Sequence, residues 1–175
     1  MLQDDYFAAE QKYLILTQVL IIMVCIPICT FYLLKTVGKV NSVMLSEPSQ
    51  RKIPLFIQAV LLIVLLTKSS TVMVIPALYF FFLAALISTI AAFTLLFAVI
   101  KASLHMIGMS ALTAFAIGLS VHNHVNAIYL ISFIIGMIGL VAASRLEMKA
   151  HTGKELVIGF LLGVIPQCGL WYFWL

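Results

Sequence analysis

From Ser69 to Ile100, and again from Ala102 to Ser144, this chain carries no Asp, Glu, Lys or Arg. Continuous apolar stretches of this length constrain the fold more than any other feature. About 20 such residues in a helix cross the hydrocarbon core of a bilayer. Inside that core every backbone N–H and C=O must be satisfied within the protein, which restricts the choice to helices or closed barrels. A barrel reads as short segments of alternating polarity; the runs here are unbroken. The chain is therefore an all-α integral membrane protein. With 64% hydrophobic and 9% charged residues among 175, it could not cover a water-facing surface, since soluble domains are about a quarter charged. The length suits one transmembrane domain over residues 1–175, without a soluble domain. No basic run is long enough to track a nucleic-acid backbone.

Six spans are predicted, at approximately 13–34, 53–70, 76–100, 103–120, 126–143 and 155–175. Pro27 should bend the first, which follows an acidic start (Asp4, Asp5) unlike the basic leader of a signal peptide. A polar loop from Lys35 to Lys52 leads to the second span, where Pro54 suits the first turn of a helix. Spans two and three are separated only by the polar tip Thr67–Ser70 and a restart at Pro76. Trp171, Tyr172 and Trp174 close the sixth as an interfacial aromatic anchor. Cys25 and Cys29 share a face of span one with no His or carboxylate beside them, and read as small apolar filler.

Six spans give the protein two faces, and the cations are unevenly divided between them. The face holding the termini carries Lys12 and Lys68. The other carries Lys35, Lys39, Arg51, Lys52, Lys101, Arg145, Lys149 and Lys154. Charges at or within spans are costly and mark functional sites by default. Three clusters fall on the basic face: Arg51-Lys52-Ile53-Pro54, Lys101-Ala102-Ser103-Leu104-His105, and Ser144-Arg145 followed after five residues by His151-Thr152-Gly153-Lys154-Glu155. Singly, each has a plain structural role. Arg51, Lys101 and Arg145 could be helix-end anchors, Thr152 and Glu155 a capping box, and His105 a satisfied interior histidine. Together, basic groups, a hydroxyl and two histidines suit a phosphate, not a metal. Arg offers a planar fork of donors and Lys a point charge, while the helix opening after Ser103 offers free N–H groups. A neutral His151, held by Glu155 four residues on, could attack phosphorus, and His105 could shuttle the proton. His122-Asn123-His124, on the opposite face, reads as a solvated turn. Gly159 and Gly163 form a small-residue stripe for close helix packing below the site.

These residues resemble the PAP2 superfamily, the type 2 phosphatidic acid phosphatases. Ser144-Arg145-(five)-His151-(three)-Glu155 matches the family's third motif, Ser-Arg-(five)-His-(three)-Asp, with Glu for Asp. Ala102-Ser103-Leu104-His105 keeps the Ser and His of its Pro-Ser-Gly-His motif. The first motif, Lys-(six)-Arg-Pro, is represented only by Arg51 three residues before Pro54. The whole is similar to a short, divergent bacterial branch of membrane phosphatases of the Bacteroidetes type. The resemblance implies a six-helix PAP2-like bundle without cofactor or metal. It would hydrolyse a lipid phosphate or diphosphate at the membrane interface through a phosphohistidine. His151 would be the nucleophile, Glu155 its orienting carboxylate and His105 the general acid and base. Arg145, Ser103, Lys101, Arg51 and Ser144 would bind phosphate.

With no cap domain to hold a soluble substrate, a lipid entering sideways is favoured. Prenyl diphosphate, phosphatidylglycerophosphate, phosphatidate and a lipid A phosphate all remain open. Two other readings stand beside the enzyme: a catalytically degenerate lipid-phosphate binder or assembly subunit, in which Leu104 in place of Gly limits approach to the backbone, and a small transporter or proton relay. The latter has little to work with, since no charged residue lies deep in a span. The family expectation places the site on the outer side of the cell's inner membrane, whereas the cation excess favours the cytoplasmic side. Oligomeric state is not legible in the sequence.

Overall fold

A computed structural model describes residues 9–38 and 48–175. The predicted acidic start and residues 39–47 of the polar loop before span two lie outside the described residues. Everything described is helix or connection. Among the described residues, six helices are long and apolar enough to cross a membrane.

Span one is a composite of α1 (Ala9–Leu20), a π-helical turn (Ile21–Cys25) and α2 (Ile26–Thr36). The expected disturbance at Pro27 therefore takes the form of a π-turn just ahead of it. A proline has no N–H to continue the ladder, and π-turns absorb such interruptions. Span two, α3, runs Pro48–Lys68, starting earlier than predicted. Pro48 opens the helix and Pro54 lies inside it, which corrects the expectation that Pro54 marks the first turn. As a result Arg51 sits on the helix, not in the loop before it.

The polar tip does break the chain as expected. Ser69 caps a short helix, α4 (Ser70–Val74), accepting the Val72 N–H at 3.2 Å. Then α5 starts at Pro76 and reaches Leu95, extended by a 3-10 turn to Ala98. Val99 takes a left-handed φ of 59°, unusual for a β-branched residue, and turns the chain towards α6 (Leu104–His122). Next come α7 (Ile128–Glu147) and α8 (Gly153–Leu170), the latter ending in a 3-10 turn, Trp171–Phe173. Span five thus ends about one turn later than predicted, and Ser144 and Arg145 ride on its last turn.

The most extensive packing joins α6 to α8; α5 lies against α3 and α8, α7 against α6, and span one against α3. Glycine makes the α6–α8 contact possible. A Cβ on Gly159 would stand 2.7 Å from the Ser103 carbonyl oxygen, and one on Gly163 would overlap Ser110 and Ile107. The predicted close packing is found, and it brings α8 directly onto the entry to α6. At the other end, the expected interfacial anchor is only partly realised. Tyr172 is exposed, but Trp174 is buried, packing against Phe115 and His122 and over Gly118. The lack of a side chain at Gly118 leaves a space the indole fills.

Candidate active site

The starts of α3, α6 and α8 and the end of α7 meet at one end of the bundle. His151 lies in the bend before α8, not on the helix as its spacing from Glu155 suggested. The two nevertheless pair: His151 Nδ1 stands 2.8 Å from Glu155 Oε2. The same oxygen accepts the Thr152 backbone N–H at 3.2 Å, while the Glu155 N–H donates to Thr152 Oγ1 at 3.4 Å. The capping box and the histidine partner are therefore one residue, not alternatives. Glu155 is held by the cap, and the cap fixes the direction from which it meets the imidazole. The His151 side chain is only 5% exposed.

The other imidazole nitrogen faces cations. Arg51, 4% exposed, donates from Nη1 to the Ala102 carbonyl at 3.2 Å and places Nη2 3.5 Å from His151 Nε2. A guanidinium has donors only. Nε2 facing it is therefore the lone-pair nitrogen, and the ring proton belongs on Nδ1, toward Glu155. The network thereby assigns the tautomer a nucleophilic imidazole requires. Burial pushes the His151 pKa below its usual 6.5, and Arg51 and Lys101 act the same way; the Glu155 hydrogen bond and charge oppose them. At neutral pH the ring is uncharged.

Arg145, at the end of α7, sets Nη2 3.4 Å from His105 Nε2 in the first turn of α6. Its Nε is buried and has no hydrogen-bond partner among the described residues. Ser103 holds the cap position of α6, but its side chain makes no capping bond. Its hydroxyl is fully buried and unpartnered, whereas its N–H donates to the Glu155 carbonyl at 3.3 Å. Two buried polar groups thus keep their hydrogen-bonding capacity unspent, beside a helix start whose first N–H groups lack intrahelical acceptors. Lys101 lies close enough for its charge to act on His151.

Of the eight residues singled out from sequence, Arg51, Lys101, Ser103, His105, Arg145, His151 and Glu155 converge. Ser144 does not: it is exposed and its hydroxyl contacts Met148 Sδ at 3.7 Å. It lies on α7 beside Arg145, and adjacent helical positions do not share a face. His122 and His124 are exposed at the opposite end, His122 against the Leu175 carbonyl. Gly159, read from sequence as part of a packing stripe below the site, lies against the Ser103 backbone itself.

Fold and side chains together define a multi-pass helical membrane protein with a cationic, histidine-bearing cluster at one end. No family model matches the chain, and neither a curated protein nor a solved structure does.

Proposed function

We propose that this protein is a membrane-embedded phosphatase of the PAP2 type that removes the terminal phosphate from a lipid phosphate or diphosphate. The observation carrying the reading is the His151 imidazole, with Nδ1 on Glu155 at 2.8 Å and Nε2 turned toward the Arg51 guanidinium. Arg51, Arg145, Lys101 and the Ser103 hydroxyl would take the non-bridging phosphate oxygens, stabilising charge that builds in the transition state. His151 Nε2 attacks phosphorus and the bond to the lipid oxygen breaks. That oxygen takes a proton from His105 as an imidazolium, which requires Arg145 Nη2, 3.4 Å from Nε2 in the resting geometry, to swing onto the phosphate first. The phosphohistidine is then cleaved by water, whose proton returns to His105, releasing inorganic phosphate and restoring His151. Glu155 stabilises the imidazolium character of His151 as the bond forms.

The lipid enters from the bilayer, and the cluster lies where a headgroup would sit. Purified protein should release phosphate from at least one of phosphatidate, phosphatidylglycerophosphate, a prenyl diphosphate or a lipid A phosphate. Vanadate should inhibit, and His151→Ala should abolish turnover. Full activity in that variant would sink the mechanism.

A second reading has one observation in its favour: Arg51 Nη2 occupies the direction of the His151 Nε2 lone pair. A lipid-phosphate binder that never turns over would keep this arrangement. Binding of phosphatidate without phosphate release, unchanged in His151→Ala, is the result that selects it.

A further inference from the structure

Beneath the cluster, span one, α3, α5 and α6 enclose an apolar cleft of about 560 Å³. We propose that it holds one hydrocarbon chain of the lipid whose phosphate the cluster binds, with Gly108 setting the width open to that chain; this rests on the phosphatase reading above.

The cleft adjoins the site along α3 and α6. Leu104, one of its lining residues, lies between Ser103 and His105, and Pro54 and Leu55 follow Arg51 by about one turn. A lipid whose phosphate met Arg51 and His151 would have its first methylenes at Leu104 and Pro54. The walls suit a chain because they are largely apolar and two of their three polar side chains are engaged within the walls themselves. Gln58 Nε2 turns to Met23 Sδ at 3.6 Å, and the Thr89 hydroxyl donates to the Ala85 carbonyl at 2.7 Å.

Depth distinguishes a lipid chain from a protein partner. From Pro54 to Leu62 along α3 is about 12 Å, and from Leu34 to Val19 along span one about 22 Å, at 1.5 Å per residue. That brackets one leaflet, about half of a 30 Å core. A docked transmembrane helix would need a groove of the full thickness.

Span one forms the outer wall, and its attachments explain why the space exists. Gln18 accepts from the Ser69 hydroxyl at 2.9 Å near the opposite face, and Met23 meets Gln58 midway. Between those ties and the site the helix passes through the π-turn Ile21–Cys25 and Pro27, which redirect its course. On the inner wall, a Cβ at Gly108 would meet nothing within 4 Å. A larger side chain there fits the helix and projects into the cleft. Gly108 is thus a specificity position, apart from the catalytic groups.

The test compares oleoyl-chain with hexanoyl-chain phosphatidate in nanodiscs holding the full chain. Gly108→Phe should cut turnover of the oleoyl substrate about tenfold, the scale on which apolar pockets discriminate, and change the hexanoyl rate less than twofold. Ala85→Leu, on the facing wall, should act in the same direction, which guards against one variant failing to fold. In parallel, an oleoyl phosphatidate carrying a mid-chain diazirine should photolabel peptides of α3 and α6. That labelling should be lost in Gly108→Phe and absent with the matching phosphatidylcholine. Equal labelling by the choline lipid would make the cleft an ordinary boundary-lipid groove and overturn the proposal. So would phosphate release whose chain-length dependence both variants leave unchanged. Phosphatidate-specific labelling without phosphate release from any lipid would uphold the cleft while removing the phosphatase reading.

Discussion

His151 Nδ1 and Glu155 Oε2 stand 2.8 Å apart, and the carboxylate that holds the imidazole is the one that caps α8. A helix-capping device and a histidine-orienting device share one oxygen, which takes both the ring N–H and the Thr152 N–H. Orientation of the imidazole is therefore built into the start of a transmembrane helix. The Glu155 side chain reaches the imidazole while folded back onto its own cap.

Glu155→Gln keeps the size of that side chain and removes its charge. Lacking a carboxylate to stabilise the imidazolium, the variant should lose about a thousandfold in kcat, with KM for phosphatidate altered far less. Steady-state phosphate release measures both. A fall in KM-dependent terms alone would assign Glu155 to binding.

The His151 pKa lies below 6.5 because burial and the cations outweigh Glu155. In the proposed mechanism the nucleophile is neutral and His105 protonated, so activity should fall on an acid limb below pH 6.5 and again on an alkaline limb as His105 loses its proton. Stability has the sign of the acid limb. The unfolded chain takes up the imidazole proton more readily than the folded one, so this contribution is fully present above pH 6.5. It declines as pH drops through 6.5 toward the folded pKa. A pH–rate profile in mixed micelles checks the first statement. Thermal unfolding of wild type against His151→Ala across that window checks the second.

In the proposed mechanism His105→Asn removes both the proton donor to the leaving oxygen and the base for the hydrolytic water. The expected result is loss of turnover by about a hundredfold or more, with slow formation of an acid-labile phosphate on the protein that then persists after addition of labelled substrate. Mapping that phosphate to His151 by mass spectrometry identifies the nucleophile directly. Phosphate on any other residue refutes the assignment.

Gly159→Ala places a methyl 2.7 Å from the Ser103 carbonyl, closer than real Cβ contacts come, and backbone must move. Overpacking of this kind costs about 1–3 kcal/mol, and a displacement of the α6 entry by a fraction of an ångström should lower kcat/KM by up to about a hundredfold. Gly169→Ala, where a Cβ has open space, is the control and should leave the rate unchanged. Equal effects in the two variants would remove the positional role of Gly159.

The spans were legible because apolar length reports directly on the solvent a helix occupies. Their ends were less so. Pro54 looked like a helix start, yet Pro48 fills that role six residues earlier, and a proline can sit inside a transmembrane helix when neighbours re-satisfy the backbone. Trp174 looked like an interfacial anchor, and the space left by Gly118 made it a core residue instead. At the site, residue type and spacing singled out seven of the groups that converge. They misjudged Ser144, whose neighbour Arg145 faces the cluster while it does not.

What the sequence determined by itself is the solvent and the chemistry. Long charge-free runs require a helical membrane protein, and cations with two histidines on one face suit an anionic group. Only the tertiary structure decided how those groups are poised. It sets Arg51 against Ala102 and His151 across three segments distant in sequence, leaves the Ser103 hydroxyl buried and unspent, and opens a leaflet-deep cleft beside Leu104. Such relations depend on how closely helices approach. That distance is set by packing at Gly159, Gly163 and the π-turn of span one, not by hydrophobic pattern.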